Sequence, residues 1–163
     1  MNNYAKARKL IEGLAQTLTL QGLKLDDENH SCMLLFEGDI VLNIEYDDPE
    51  GRLVLSIYLG ELPDTGAEPL LRELMGANLY WHRTSGATLC LEEETNAVML
   101  VYGHNVGQLQ PDVFENIIEN LIKQAEHWQQ RIKLVKAEAA NSIAGQAAHE
   151  AQSPGRTDGF IFG

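Results

Sequence analysis

No hydrophobic run in this chain approaches the ~20 consecutive residues that a membrane helix needs, although 44% of its 163 residues are apolar. The N-terminus, MNNYAKARKLIEGLAQTLTL, is basic and amphipathic, with neither a continuous apolar core nor a small-residue cleavage site. It therefore reads as the first helix of a soluble fold and not as a cleaved leader. Cysteine is scarce: Cys32 and Cys90 are the only two, far apart and each in an apolar run. That pattern predicts buried thiols in a reducing, cytoplasmic setting and no disulfide. There is no CxxC, and the five histidines (His30, His82, His104, His127, His149) never stand at ligand spacing with a cysteine or with each other. The spacing argues against a zinc site, and no cofactor is expected.

Positive charge is also in short supply, and unevenly so. Residues 26–94 hold 16 acidic residues against Arg52, Arg72 and Arg83, whereas residues 1–25 carry Lys6, Arg8, Lys9 and Lys24 against Glu12. The formal net charge is −12. A field of that sign repels phosphate backbones and anionic membrane surfaces and favours basic partners. Neither nucleic acid nor an anionic membrane surface is an expected partner on this ground.

Catalytic motifs are missing as well. His82 and Ser85 stand three residues apart in the run WHRTSG, but no GxSxG or other nucleophile context surrounds them, and a bare juxtaposition carries little weight. They read as a turn. Gly103-His104-Asn105-Val106-Gly107 follows a strand but has neither the lysine and hydroxyl of GxxxxGK[ST] nor GxGxxG spacing, so it reads as a connector. The carboxylates of Glu92-Glu93-Glu94 would point to alternate faces of a strand and would not converge on a metal. They read as charged protection at a hairpin edge.

What is present is a clear succession of periodicities. From residue 3 to about 21, apolar positions 7, 10, 11, 14 and 18 mark one face of a helix ended by Gly22. Runs at 31–38, 39–47 and 52–62 read as a meander of antiparallel strands. In the second and third, Ile40, Leu42, Ile44, Tyr46 and Leu53, Leu55, Ile57, Leu59 define a core face. The other face carries Val41, Asn43, Val54, Ser56 and Tyr58, less polar than an exposed sheet would be, so it calls for a cover. A shorter helix places Leu70, Leu71, Leu74, Met75 and Leu79 on one stripe after Pro69. Strands at 87–93 and 97–103 follow, joined by a tight hairpin at 94–96. A long helix from Pro111 then keeps Phe114, Ile117, Ile118, Leu121, Ala125, Trp128, Ile132 and Val135 on one side. The expected fold is an α+β, two-layer αβββαββα domain with an antiparallel twisted sheet over residues 1–137. Residues 138–163, rich in Ala, Gly, Ser and Gln, read as a flexible tail with an apolar terminus at Phe160-Ile161-Phe162.

The element order, the acidic balance, the helix GAEPLLRELMGANLYW running into GATLCLEEETNAVMLV, and the strand ending IYLGELP together resemble the class I type III secretion chaperones, the Tir-chaperone or CesT-like family. The resemblance covers about residues 1–136. Leu70, Leu71, Leu74 and Asn78 match its helix pattern, and Gly86, Leu89 and Leu91 its next strand. Ser85-Gly86 departs from the glycine pair that many relatives carry.

The resemblance implies a non-catalytic homodimer that holds the N-terminal segment of a secreted effector extended and competent for export, with the secretion ATPase as a further partner. The dimer seam it implies comprises Leu70, Leu71, Leu74, Met75, Asn78, Leu79, Trp81, Leu89 and Leu91. The effector contacts expected on this reading are Leu10, Leu14 and Leu18, which either pack on the sheet or face a groove, with Leu34, Phe36, Val41, Asn43, Val54, Ser56 and Tyr58 on the strands. An alternative on the same fold is a regulatory or adaptor protein that binds a folded partner.

Overall fold

The computed structural model describes residues 2–151, with side-chain surroundings up to residue 147. The chain runs α1 (Asn3–Thr17), β1 (Ser31–Phe36), β2 (Ile40–Asp47), β3 (Arg52–Glu61), α2 (Glu68–Ala77), β4 (Thr88–Glu92), β5 (Ala97–Asn105) and α3 (Pro111–Ala151), with short 3-10 turns at Leu79–Trp81 and Val106–Gln108. All strand pairs are antiparallel, in the spatial order β1-β2-β3-β5-β4. This is the αβββαββα order read from the periodicities.

Each helix forms for a local reason and is held by one buried stripe. In α1, the Asn2 side chain accepts a hydrogen bond from the Ala5 amide at 2.7 Å, and Ala7, Leu10, Ile11, Leu14 and Ala15 are buried. In α3, Phe114, Ile118, Leu121, Ala125, Trp128 and Ile132 recur every three or four residues and are all buried. These stripes meet the core faces of β2 and β3, where Ile40, Leu42, Ile44, Leu53, Leu55 and Ile57 are fully enclosed. At ~1.5–3 kcal/mol for each large aliphatic or aromatic side chain buried, this single layer contact dominates the stabilisation.

A bulge fits α3 to the sheet. The β3–β5 register shifts between Tyr58 and Gly60, where Gly60 has φ 139° and a side-chain carbon would lie 3.1 Å from Ile132 Cγ2. Only glycine allows that approach. On the far side of α3, Glu73 of α2 accepts from Arg131 Nε at 2.9 Å and faces Arg83 at 3.9 Å. The Arg83 guanidinium in turn lies 5.7 Å from the ring centre of Trp128. This cluster ties α2 and the loop after it to α3.

Three expectations need correction. Helix α1 stops at Thr17 and not near Gln21, because Thr19 takes a left-handed conformation (φ 56°) and the Leu20 amide bonds back to Ala15 O at 2.8 Å. Helix α3 does not give way at residue 138 but continues to Ala151. Loss of hydrophobic periodicity marked the end of burial there and not the end of the helix, since Ala, Glu and Gln are strong helix formers; residues 140–147 are all exposed. Cys90 is exposed and Cys32 only half-buried, because Cys90 points away from the core face of β4. Phe160-Ile161-Phe162 lie outside the described residues.

Candidate protein-binding surfaces

Among the described residues, three apolar surfaces stand out. The first is a groove of about 480 Å³ between the end of α1, the end of β1 and the first half of α3. Leu14, Leu18, Phe36 and Ile122 give it an apolar lining, and Thr17, Glu115, Glu119, Lys123 and Glu126 surround them. The early stop of α1 builds it: Leu18 follows the last helical residue and remains exposed at the helix end. Thr17 Oγ1 donates to Glu115 at 2.8 Å, tying α1 to α3 beside the groove. Lys123 pairs with Glu119 at 2.7 Å, and that ammonium holds the Glu119 carboxyl below its usual range.

The second surface is the sheet face opposite the helices. Registers place Met33, Asn43, Ser56, Val101 and Thr88 in one row across all strands, and Leu35, Val41, Tyr58, Met99 and Cys90 in the next row on the same face. Met33 and Leu35 are 69% and 74% exposed, Val41 and Tyr58 are exposed, and Asn43, Val54 and Ser56 are half-buried. Such a spread of apolar side chains on one face is a binding surface or an interface. Beside it, β1 is an edge strand with one side unpaired among the described residues.

The third surface joins α2 to β4. A groove of about 220 Å³ is lined by Leu71, Leu74, Met75, Leu89, Cys90, Leu91 and Val98. The Asn78 side chain fixes it from below: its Nδ2 donates to Leu89 O at 3.0 Å, and its Oδ1 accepts from the Leu89 amide at 2.8 Å. Next to the groove Leu79, Tyr80 and Trp81 project into solvent, Tyr80 being 73% exposed. Tyr80 and Trp81 both have φ 54°, a left-handed conformation costing a non-glycine residue ~1–2 kcal/mol. Two consecutive strained, exposed aromatics are costly to hold in water.

The residues expected at the seam thus divide. Met75, Leu79, Trp81 and Leu91 are exposed, Leu71 and Asn78 half-buried, and Leu70, Leu74 and Leu89 buried. Leu74 and Leu89 form the floor of the α2–β4 groove, whereas Leu70 turns inward to the protomer's own core. Among the expected effector contacts, Leu14, Leu18 and Phe36 converge on the first groove, and Val41, Asn43, Val54, Ser56 and Tyr58 share the open sheet face. Leu10 and Leu34 are a correction: both are buried in the core, Leu10 on the inner stripe of α1 and Leu34 opposite Leu42 on the core face. The open-face residues of β1 are Met33 and Leu35. In the unbroken apolar run CMLLF nothing reveals which parity faces inward, but pairing with the alternating β2 would have shown it. Ile122, Glu115, Glu119, Lys123 and Glu126 were also missed, since they reach the first groove only through the packing of α3 on α1.

Ser85 Oγ accepts from Gln124 Nε2 at 3.2 Å, a partner that cannot act as a base, and His82 lies exposed beside Tyr80. No helix among the described residues is long and apolar enough to cross a membrane.

Among the described residues, a single-layer sheet with an open apolar face, edge strands and apolar grooves has the features of a protein-binding module. Comparison with known proteins narrows the class: the sequence profile of the Tir chaperone protein (CesT) family matches residues 9–129. The chain belongs to that family of type III secretion chaperones. It is 29% identical over 129 residues to the transcriptional anti-antiactivator ExsC of Pseudomonas aeruginosa, covering 79% of this chain and 87% of that one. Its fold is similar to a chain in the crystal structure of the ExsC–ExsE complex, with a TM-score of 0.69, 27% identity, and coverage of 81% of this chain and 97% of that one. It also matches a chain of the HopA1–SchA chaperone–effector complex, with a TM-score of 0.64, 19% identity, and coverage of 78% and 95%.

Proposed function

We propose that this chain acts in the cytoplasm as a homodimeric, non-catalytic chaperone that holds the N-terminal segment of a type III secreted protein extended until export. The observation that carries the reading is the open apolar sheet face beside an unpaired edge strand and a groove, on a fold found in a chaperone–effector complex. Grooves and backbone pairing suit a client that must stay unfolded, because they recognise extended chain with few specific side chains. The strained Leu79–Trp81 turn and the α2–β4 groove beside it supply a self-complementary seam, since a two-fold axis would set each turn against the partner's groove.

One observation favours a second reading. The relative at 29% identity is a transcriptional anti-antiactivator, so the same surfaces in this chain could sequester a regulatory protein that is folded on its own. The two readings differ in the partner's state. The experiment is recovery of the protein with its companions from its own host, followed by limited proteolysis of the companion alone and bound. A companion whose N-terminal segment is cut when free and protected when bound supports the chaperone reading. A companion resistant in both states supports the regulator, and recovery of no companion contradicts both.

A further inference from the structure

The carboxylates around the α1–α3 groove are not equivalent. Glu119 is neutralised by Lys123 at 2.7 Å, and Glu115 accepts only the uncharged Thr17 hydroxyl at 2.8 Å. Glu126 has no hydrogen-bond or ion-pair partner among the described residues. Two uncompensated negative charges therefore stand at the ends of an apolar patch made by Leu14, Leu18, Phe36 and Ile122. They are eleven residues apart on one helix, or ~16 Å at ~1.5 Å per residue. An extended peptide covers that distance in about five residues at ~3.3 Å each. The extended form fits the place, because Phe36 closes β1, whose outer edge is unpaired.

We propose that this groove selects extended segments in which two cationic side chains, about four or six residues apart so that both project from one face, flank apolar ones, the cations resting on Glu115 and Glu126. The inference rests on the client-holding reading and adds the sequence class of the client. A segment with acidic flanks would set like charges against both carboxylates and add to the repulsion of a chain with net charge −12. Lys123 does not cancel the selection, since its ammonium is already committed to Glu119.

The test titrates the full-length protein with two fluorescent twelve-residue peptides that share an alternating Leu/Val centre and differ only in having Arg or Glu flanks. Glu126 is exposed and Glu115 half-buried at the helix surface, and neither belongs to the apolar core, so the Glu115→Lys/Glu126→Lys double variant is expected to retain the fold, checked by circular dichroism. The native chain is expected to bind the Arg-flanked peptide about tenfold more tightly at low salt, the double variant to reverse the preference, and 0.5 M salt to erase it. Equal affinities for the two peptides, or a preference unmoved in the double variant, would overturn the proposal. So would binding that vanishes as protein concentration rises, which would assign the groove to a second copy. If the peptides show no preference while a secreted companion is still recovered from the host, only the charge selection falls. If neither peptide binds and no companion is recovered, the client-holding reading falls with it.

Discussion

At the scale of single residues, backbone conformation sets the sign of a substitution at the Ser85-Gly86 turn. Ser85 has φ 53°, a conformation that suits glycine far better. Gly86 has φ 90°, strained for any other residue, and a side-chain carbon there would crowd the Tyr102 ring at 3.1 Å. Ser85→Gly is expected to raise stability by about 0.5–1 kcal/mol despite losing the Gln124 contact, read as a higher urea midpoint at unchanged slope. Asn78 predicts the opposite sign. Its side chain satisfies both backbone groups of Leu89, so Asn78→Ala leaves two partly buried polar groups unpaired and should cost about 2 kcal/mol in the same measurement. Burial pushes the Cys32 thiol up to about 11. Since the thiolate is the nucleophile and the neutral form dominates below that value, labelling of Cys32 should rise about tenfold per pH unit from pH 7 to 10, measured by mass spectrometry after iodoacetamide pulses.

At the scale of elements, burial separates the two roles that apolar residues of α2 and β4 play. Charge at Leu74 or Leu89 would strike the protomer's own core and unfold it, so such variants do not isolate the seam. Met75 and Leu91 are exposed at the same groove. Met75→Glu with Leu91→Glu is expected to leave a folded chain with native circular dichroism that sediments as a monomer; a double variant that remains dimeric would place the seam elsewhere. The elements themselves were legible because β2 and β3 alternate strictly and α1 and α3 hold one apolar stripe. Boundaries were less so. The end of α1 turns on Thr19 adopting a left-handed conformation, which no glycine announces, and the length of α3 depends on helix propensity after burial has ceased. The parity of β1 was hidden in CMLLF, and the groove's acidic rim depends on which turns of α3 lie against α1, a tertiary relation that periodicity along either helix does not specify.

At the scale of the whole molecule, an acidic chain with a one-sided sheet leaves more apolar surface open than a lone protomer would keep in water. The proposed function supplies two kinds of cover: a second copy over α2, β4 and the strained aromatic turn, and an extended client over the open sheet face and the α1–α3 groove. The negative field keeps such a dimer soluble while steering basic segments toward it. Native mass spectrometry of the protein recovered from its own host tests this directly, because it reports both covers in one mass. The account predicts two copies of this chain with one copy of a larger protein, held through that protein's N-terminal region. A bare monomer with no companion would contradict both the seam and the client.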